Sequence, residues 1–220
     1  MVASCWESNI VGAQFIAPFR LTYQPGVMNH APTLEIEKIL MSQPLRPYLG
    51  ISPTLGERVF VDPSAVVIGK VTLGDDVSIW PTAVIRGDVQ AISVGARTSI
   101  QDGSVLHVTS PNPVYPQGIP LIIGSDVTVG HAVTLHACTI SNFCLIGMGS
   151  VVLDAVYTEE FVMVGAGSVV TPRSRLTTMG LYVGNPARRM RDLKESEVEM
   201  IKHSAKHYVK VKDNYLKESH

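Results

Sequence analysis

Three histidines lie close together in this chain, His107 in "DGSVLHVTS" and His131 and His136 in "VTVGHAVTLHACTI". Neutral imidazoles are good ligands for zinc and its neighbours. Three of them with a fourth position open make a catalytic site, whereas structural zinc usually takes four protein ligands. The spacing is the difficulty. A helix brings i and i+4 onto one face and a strand sends residues an odd number apart to opposite faces, so the step of five from His131 to His136 suits neither. The backbone that positions them must have another geometry.

From Val61 onward, aliphatic residues recur every six positions, at Val61, Val67, Leu73, Ile79 and Ile85, then Val94, Ile100 and Leu106, then Ile123, Val129 and Leu135. The series restarts at Ile140, Ile146 and Val152 and resumes at Val164 and Val170. Glycine follows several of these directly, as in Leu73-Gly74, Val94-Gly95 and Val129-Gly130. A sustained period of this kind is the signature of a repeat architecture. Six residues make a short strand and a corner, with the aliphatic side chain inward and a small residue allowing the turn, and three such sides close a coil of about eighteen residues. The pattern predicts a mainly β chain wound as a parallel β-helix, not a sandwich, whose strands would alternate between irregular turns.

The coil gives the histidines their places. Leu106 and Ile123 are successive repeat positions separated by seventeen residues instead of six, so "TSPNPVYPQGIP" carries an insertion of eleven. With that loop subtracted, His107 and His136 fall one coil apart, each directly after its inward aliphatic residue. They should stack on one corner, pointing outward, about 4.8 Å apart in backbone terms. His131 follows Val129 by two and belongs to another part of the perimeter. In a threefold assembly of prisms a corner of one subunit faces the side of the next, so a neighbour's His131 would complete the site.

These stretches, together with "VIRGDV", "IQDGSVLH", "GMGSVVLDA" and "GNPAR", resemble the γ-class carbonic anhydrase family of hexapeptide-repeat proteins over about residues 41–218. The resemblance implies a left-handed β-helix, a homotrimer, and a metal held by His107 and His136 of one subunit and His131 of the next. Zinc is the first expectation, with iron(II) or cobalt as alternatives. It also implies that Arg86 and Asp88 pair across the trimer interface, that Gln101 hydrogen-bonds the water on the metal, and that Asp102 belongs to the surrounding network. The implied reaction is hydration of CO2 to bicarbonate. A divalent ion on three neutral imidazoles lowers the pKa of bound water from about 15.7 to about 7, which makes hydroxide available at neutral pH, and a proton must leave before the next turnover.

The chain departs from the most active family members at that last step. Their proton-shuttle glutamates have no equivalents, since Val89 follows Asp88 and the loop from Thr109 to Pro120 contains no acid. Tyr182 is the one alternative shuttle to examine. The same site could hydrolyse an acyl-CoA thioester, since some relatives resemble thioesterases acting on acyl-CoA, or the trimer could be a non-catalytic scaffold. A hexapeptide acyltransferase is disfavoured, because such enzymes use one histidine as a base and need no three at ligand positions. His203 and His207 also have ligand spacing, i and i+4 near the C-terminus, but lack a third ligand and are expected at the surface. "RGD" as an adhesion motif would require secretion.

Composition narrows the rest. With Lys+Arg 18 against Asp+Glu 19, nothing favours nucleic acid or an anionic membrane surface, and a small substrate fits better. No apolar run is long enough to span a membrane. The start carries Glu7 where a secretory signal would be basic, so a cytoplasmic location is expected. The three cysteines, Cys5, Cys138 and Cys144, show no CxxC spacing and read as packing thiols. Residues 1–40 fit no period and read as an N-terminal extension, residues 41–191 as the β-helix domain, and residues 192–220 as a C-terminal amphipathic helix. In that helix Val198, Ile201, Ala205, Tyr208 and Tyr215 share a face, and Ser196 with Glu199 reads as a capping box.

Overall fold

The computed structural model describes residues 44–218, so the expectation for residues 1–40 lies outside the described residues. The six-residue period builds a parallel β-solenoid with three faces. The first face stacks Phe60–Val61, Ser78–Ile79, Ser99–Ile100, Thr128–Val129, Leu145–Ile146, Met163–Val164 and Gly180–Gly184. The second carries Val105–His107, Thr134–His136, Val151–Val152 and Val169–Val170, and the third Leu121–Ile123, Thr139–Ile140, Tyr157–Thr158 and Arg175–Leu176. Two longer strands, Val66–Leu73 and Val84–Val94, run around the edge between the second and third faces and join them into one sheet. All these pairings are parallel, and the last coil ends in an antiparallel hairpin between Gly180–Gly184 and Ala187–Asp192.

The periodic aliphatics fill the prism. Val67, Ile85, Leu106, Leu135 and Val152 stack down the second face at 0% exposure, and their counterparts on the other faces are buried apart from the half-buried Val61 of the first coil. Each buried leucine or isoleucine contributes about 1.5–3 kcal/mol, so the stacked core far outweighs any single polar contact. The glycines after the aliphatics serve another purpose than the expected turn. A Cβ on Gly95 would stand 2.5 Å from the carbonyl carbon of Gly124 in the next coil, so these glycines permit coils to touch. The left-handed backbone conformation falls two residues later, on Asp76 (φ 59), Arg97 (φ 58) and Asp126 (φ 59). Short polar side chains tolerate that region better than most, which explains two of the three.

The C-terminal helix, Glu195–Glu218, lies along the first face and covers the outward residues there. It begins two residues before the expected capping box. Glu197, not Glu199, accepts the Lys194 N–H at 2.8 Å, because Arg191 grips Glu197 with two 2.7 Å hydrogen bonds, while Glu199 pairs with Lys202. From there the helix runs back toward the first coils. Ser204 Oγ meets Thr128 Oγ1 at 2.8 Å, Tyr208 packs edge-on to Trp80, and Tyr215 contacts both Trp80 and Phe60. Lys212, fully buried, pairs with Asp76 at 2.9 Å. No helix among the described residues is long and apolar enough to cross a membrane.

Candidate metal centre

Register alone brings two histidines together. His107 and His136 are direct partners across adjacent parallel strands of the second face, each one residue past an inward leucine. His107 Nδ1 stands 3.2 Å from His136 Nε2. A tetrahedral ion with metal–nitrogen bonds of about 2.0–2.1 Å holds neighbouring ligand nitrogens about 3.3–3.4 Å apart, so the pair already forms one edge of such a site.

The opposite nitrogen of each ring is held by a carboxylate. His107 Nε2 meets Asp88 Oδ1 at 3.1 Å and His136 Nδ1 meets Asp154 Oδ1 at 2.6 Å. The third histidine follows the same rule, with His131 Nδ1 2.9 Å from Asp102 Oδ2. A carboxylate on one imidazole nitrogen keeps the proton there and leaves the other nitrogen's lone pair for a metal. Three imidazoles with this arrangement fit a divalent cation of the zinc, iron(II) or cobalt type.

Two interruptions of the repeat frame the pair. Gly69 pairs with Gly87 but Val71 pairs with Ile92, so the longer strand bulges out by three residues, and Asp88 lies on that bulge. The inserted loop closes on itself, with Thr109 and Ile119 exchanging backbone hydrogen bonds of 3.1 and 2.9 Å. Gln90 of the bulge donates to the Gln117 carbonyl of the loop at 2.7 Å, which ties the two excursions together. Arg86 and Asp88, expected to pair between subunits, form an ion pair within this chain, and Asp88 reaches His107 with its other oxygen. Burial opposes ionisation of Asp88, but hydrogen bonds from Arg86 and His107 hold its carboxyl below the usual range. Burial lowers the His107 pKa, against the opposing pull of Asp88, and so favours the neutral imidazole a metal requires.

His131 stands apart, at the corner between the first and second faces, stacked on Asp102 of the preceding coil. Its side chain is 51% exposed, against 20% for His107. Among the described residues no three His, Cys, Asp or Glu side chains of one chain converge as a ligand group. Beside His131 a groove of about 370 Å³ opens between the solenoid and the helix, lined by Gln101, Leu145, Met148, Met163 and Tyr208. Gln101 is 4% exposed and lines the groove with Tyr208, whose pKa burial raises against an opposing interaction with Gln101.

Several expected residues are located elsewhere or play other parts. Val89 is exposed on the bulge, and the Tyr182 hydroxyl is engaged by the Thr177 N–H at 2.7 Å within its own turn, which leaves it no shuttle role. His203 and His207 are exposed on the helix with ring centroids 6.1 Å apart. Cys138 and Cys144 are buried, and burial pushes the Cys144 thiol up to about 11 and Cys138 higher still, so neither is a nucleophile at neutral pH. Asp154 and Tyr208 are the site residues that sequence reasoning passed over. The signal for Asp154 was present, since it lies eighteen residues, one coil, beyond His136.

A triangular parallel solenoid built on a six-residue period defines the class of hexapeptide-repeat proteins, and the comparisons narrow it. Residues 52–87 match the family described as bacterial transferase hexapeptide (six repeats). The chain is 53% identical over 176 residues to Protein YrdA of Escherichia coli (strain K12), covering 80% of this chain and 96% of that one. It is 42% identical over 168 residues to gamma carbonic anhydrase 2, mitochondrial, of Arabidopsis thaliana, covering 76% of this chain and 60% of that one. A crystal structure of a hexapeptide transferase family protein from Anaplasma phagocytophilum superposes with a TM-score of 0.73 at 38% identity, over 80% of this chain and 99% of that one. The chain therefore belongs to the γ-carbonic-anhydrase-like family of hexapeptide-repeat proteins.

Proposed function

We propose that this chain hydrates CO2 to bicarbonate at a metal centre shared between neighbouring copies in a homotrimer. The observation that carries the reading is the 3.2 Å approach of His107 Nδ1 to His136 Nε2, with the far nitrogen of each ring held by Asp88 or Asp154. Two nitrogens are poised in one chain, and His131 is turned out at another edge to serve the next.

The outer surface supports the assembly. The outward column of the second face reads Val66, Val84, Val105, Thr134, Val151 and Val169, a nearly unbroken apolar ladder beside the histidine pair. The third face instead shows Thr72, Ser93, Ile122, Thr139, Tyr157 and Arg175, and the first is covered by the helix. An apolar ladder on one face only suits burial against another copy.

A divalent ion bound there supplies Lewis acidity that brings the pKa of a coordinated water to about 7. The chain's part is to hold the imidazoles neutral and aimed, and to present the Gln101 amide, which shares the groove with His131 and Tyr208, to orient a small polar substrate or product. Neither position 89 nor the loop from Thr109 to Pro120 offers a carboxylate to carry the proton away, so it passes directly to buffer.

The groove beside His131 favours a second reading, hydrolysis of an acyl thioester. Its volume of about 370 Å³ and its Leu145, Met148 and Met163 wall suit an apolar acyl group, which CO2 does not need. Metal content and turnover separate the readings. Protein prepared anaerobically with zinc or ferrous iron should carry near one ion per chain and accelerate CO2 hydration in stopped-flow assays. Thiol release from acyl-CoA without CO2 turnover would transfer the function to thioesters. Absence of bound metal would leave a scaffold.

A further inference from the structure

Asp154 has both carboxylate oxygens committed. Oδ1 faces His136 Nδ1 at 2.6 Å, and Oδ2 accepts a hydrogen bond from Thr109 Oγ1 at 2.5 Å. Thr109 is the base of the inserted loop, fixed by its two backbone hydrogen bonds to Ile119. A continuous path of short contacts thus runs from the loop through Thr109 and Asp154 to His136 and on to His107. Asp154 is 28% exposed and His136 33%, against 47% and 51% for Asp102 and His131, so this pair is the better shielded of the two.

We propose that Asp154 is a positioning residue of the metal centre and that Thr109 positions Asp154 in turn. This rests on the reading of His107, His136 and His131 as ligands. An ionised carboxylate can only accept, so its contact with Nδ1 requires the proton on that nitrogen and leaves the Nε2 lone pair aimed at the position beside His107 Nδ1. Without it the ring turns more freely and exchanges tautomers, and a bound ion must impose the order that the protein now provides. The Thr109 hydroxyl acts one step further out. By occupying Oδ2 it removes the rotamers in which Asp154 would swing away from His136. The inserted loop is thereby part of the ligand support, even though it contributes no ligand itself.

A loop staple with no influence on the metal would have the same contacts, so the test must separate the two roles. In the full-length protein, zinc affinity is read by competition with a chromophoric chelator and the ligand field by the visible absorption of the cobalt(II) form. The melting temperature of metal-free protein is followed beside them. Asp154→Ala should weaken zinc binding about 10- to 100-fold and alter the cobalt(II) bands. Asp154→Asn keeps an oxygen acceptor for Nδ1–H and should recover part of that loss. Thr109→Val, which keeps the shape and removes the donor, should weaken binding about threefold to tenfold, and Thr109→Ser should restore it. If Asp154→Ala fails to fold, the threonine pair decides alone. Zinc affinity within about twofold of the parent and unchanged cobalt(II) bands in these variants, with only melting lowered, would overturn the proposal while leaving the metal centre intact. A parent protein that takes up no cobalt or zinc would overturn the metal-centre reading, and this proposal with it.

Discussion

Two edges of the same prism treat histidine differently. At the edge of the second face the repeat is broken twice, by the bulge at Asp88 and by the loop from Thr109, and there two histidines stand within 3.2 Å of each other with carboxylates behind them. At the other edge the coils continue without interruption, and His131 rests on Asp102 with half its side chain exposed. The difference teaches what the insertions accomplish. A regular coil offers each edge position one residue per turn, enough to present a single ligand to a neighbour. At the paired edge extra chain supplies Asp88 and the Thr109 hydroxyl that holds Asp154, and among the described residues these excursions are found where the pair is.

The largest expected effect sets the edges against each other. His131→Ala and His107→Ala should each abolish stoichiometric metal binding in the homotrimer, and co-refolding the two at equal amounts should restore about one quarter of the sites, the fraction in which an intact pair meets an intact His131. Demonstrated mixed trimers with no more metal than either parent would break the comparison. Next, Asp88→Asn should weaken zinc binding about tenfold or more, while Asp102→Asn, in a more exposed pair, should weaken it about threefold. Equal losses in the two titrations would mean that exposure does not distinguish the edges.

A smaller effect concerns proton release. CO2 hydration should rise steeply with imidazole-type buffer at fixed pH and ionic strength, chiefly in kcat, because proton release follows CO2 conversion. Val89→Glu on the bulge should flatten that dependence, and fast turnover in dilute buffer by the unmodified chain would reveal a shuttle at one edge or the other. The smallest effect on the centre should come from the helix. Asp76→Asn leaves buried Lys212 with Asp213 alone and should cost about 2 kcal/mol of stability, yet leave zinc affinity at the paired edge unchanged. The hydrogen bond from Arg58 and the contact with Lys212 lower the Asp76 pKa to about 2 from 3.8, so its stabilisation is complete above about pH 4 and is lost as pH falls toward 2. The melting-temperature gap between parent and variant should close over that window.

How far the sequence could be read depended on whether a feature runs along the chain or across it. The period of six runs along it, and so the solenoid, its core and the pairing of His107 with His136 could be obtained by subtracting one loop. Asp154 was missed because its contact crosses coils, although the same count of eighteen would have reached it. Tyr208 is harder. Nothing in "KHYVK" states which coil the helix will lie against, and only packing on Trp80 brings that hydroxyl to Gln101. The capping box is shifted because Arg191, outside the helix, holds Glu197 where it accepts the Lys194 N–H. The glycines after the aliphatics are legible as a pattern, but the reason for them lies in the adjacent coil and not in a turn of their own.

The returning helix changes what kind of object this solenoid is. Coils that touch only their neighbours behave like a zipper, stable in proportion to length and free to fray from either end. Here Tyr215, near the end of the described chain, closes on Phe60 in one of its first coils, and Lys212 locks onto Asp76. The zipper is fastened top to bottom by a single rod of about 36 Å, so the end coils cannot peel away without the rod releasing them. During synthesis the same bond works in reverse. Phe60 and Trp80 emerge early and wait uncovered until Tyr208 and Tyr215 are made, so the early coils gain their full stability only after the helix has emerged.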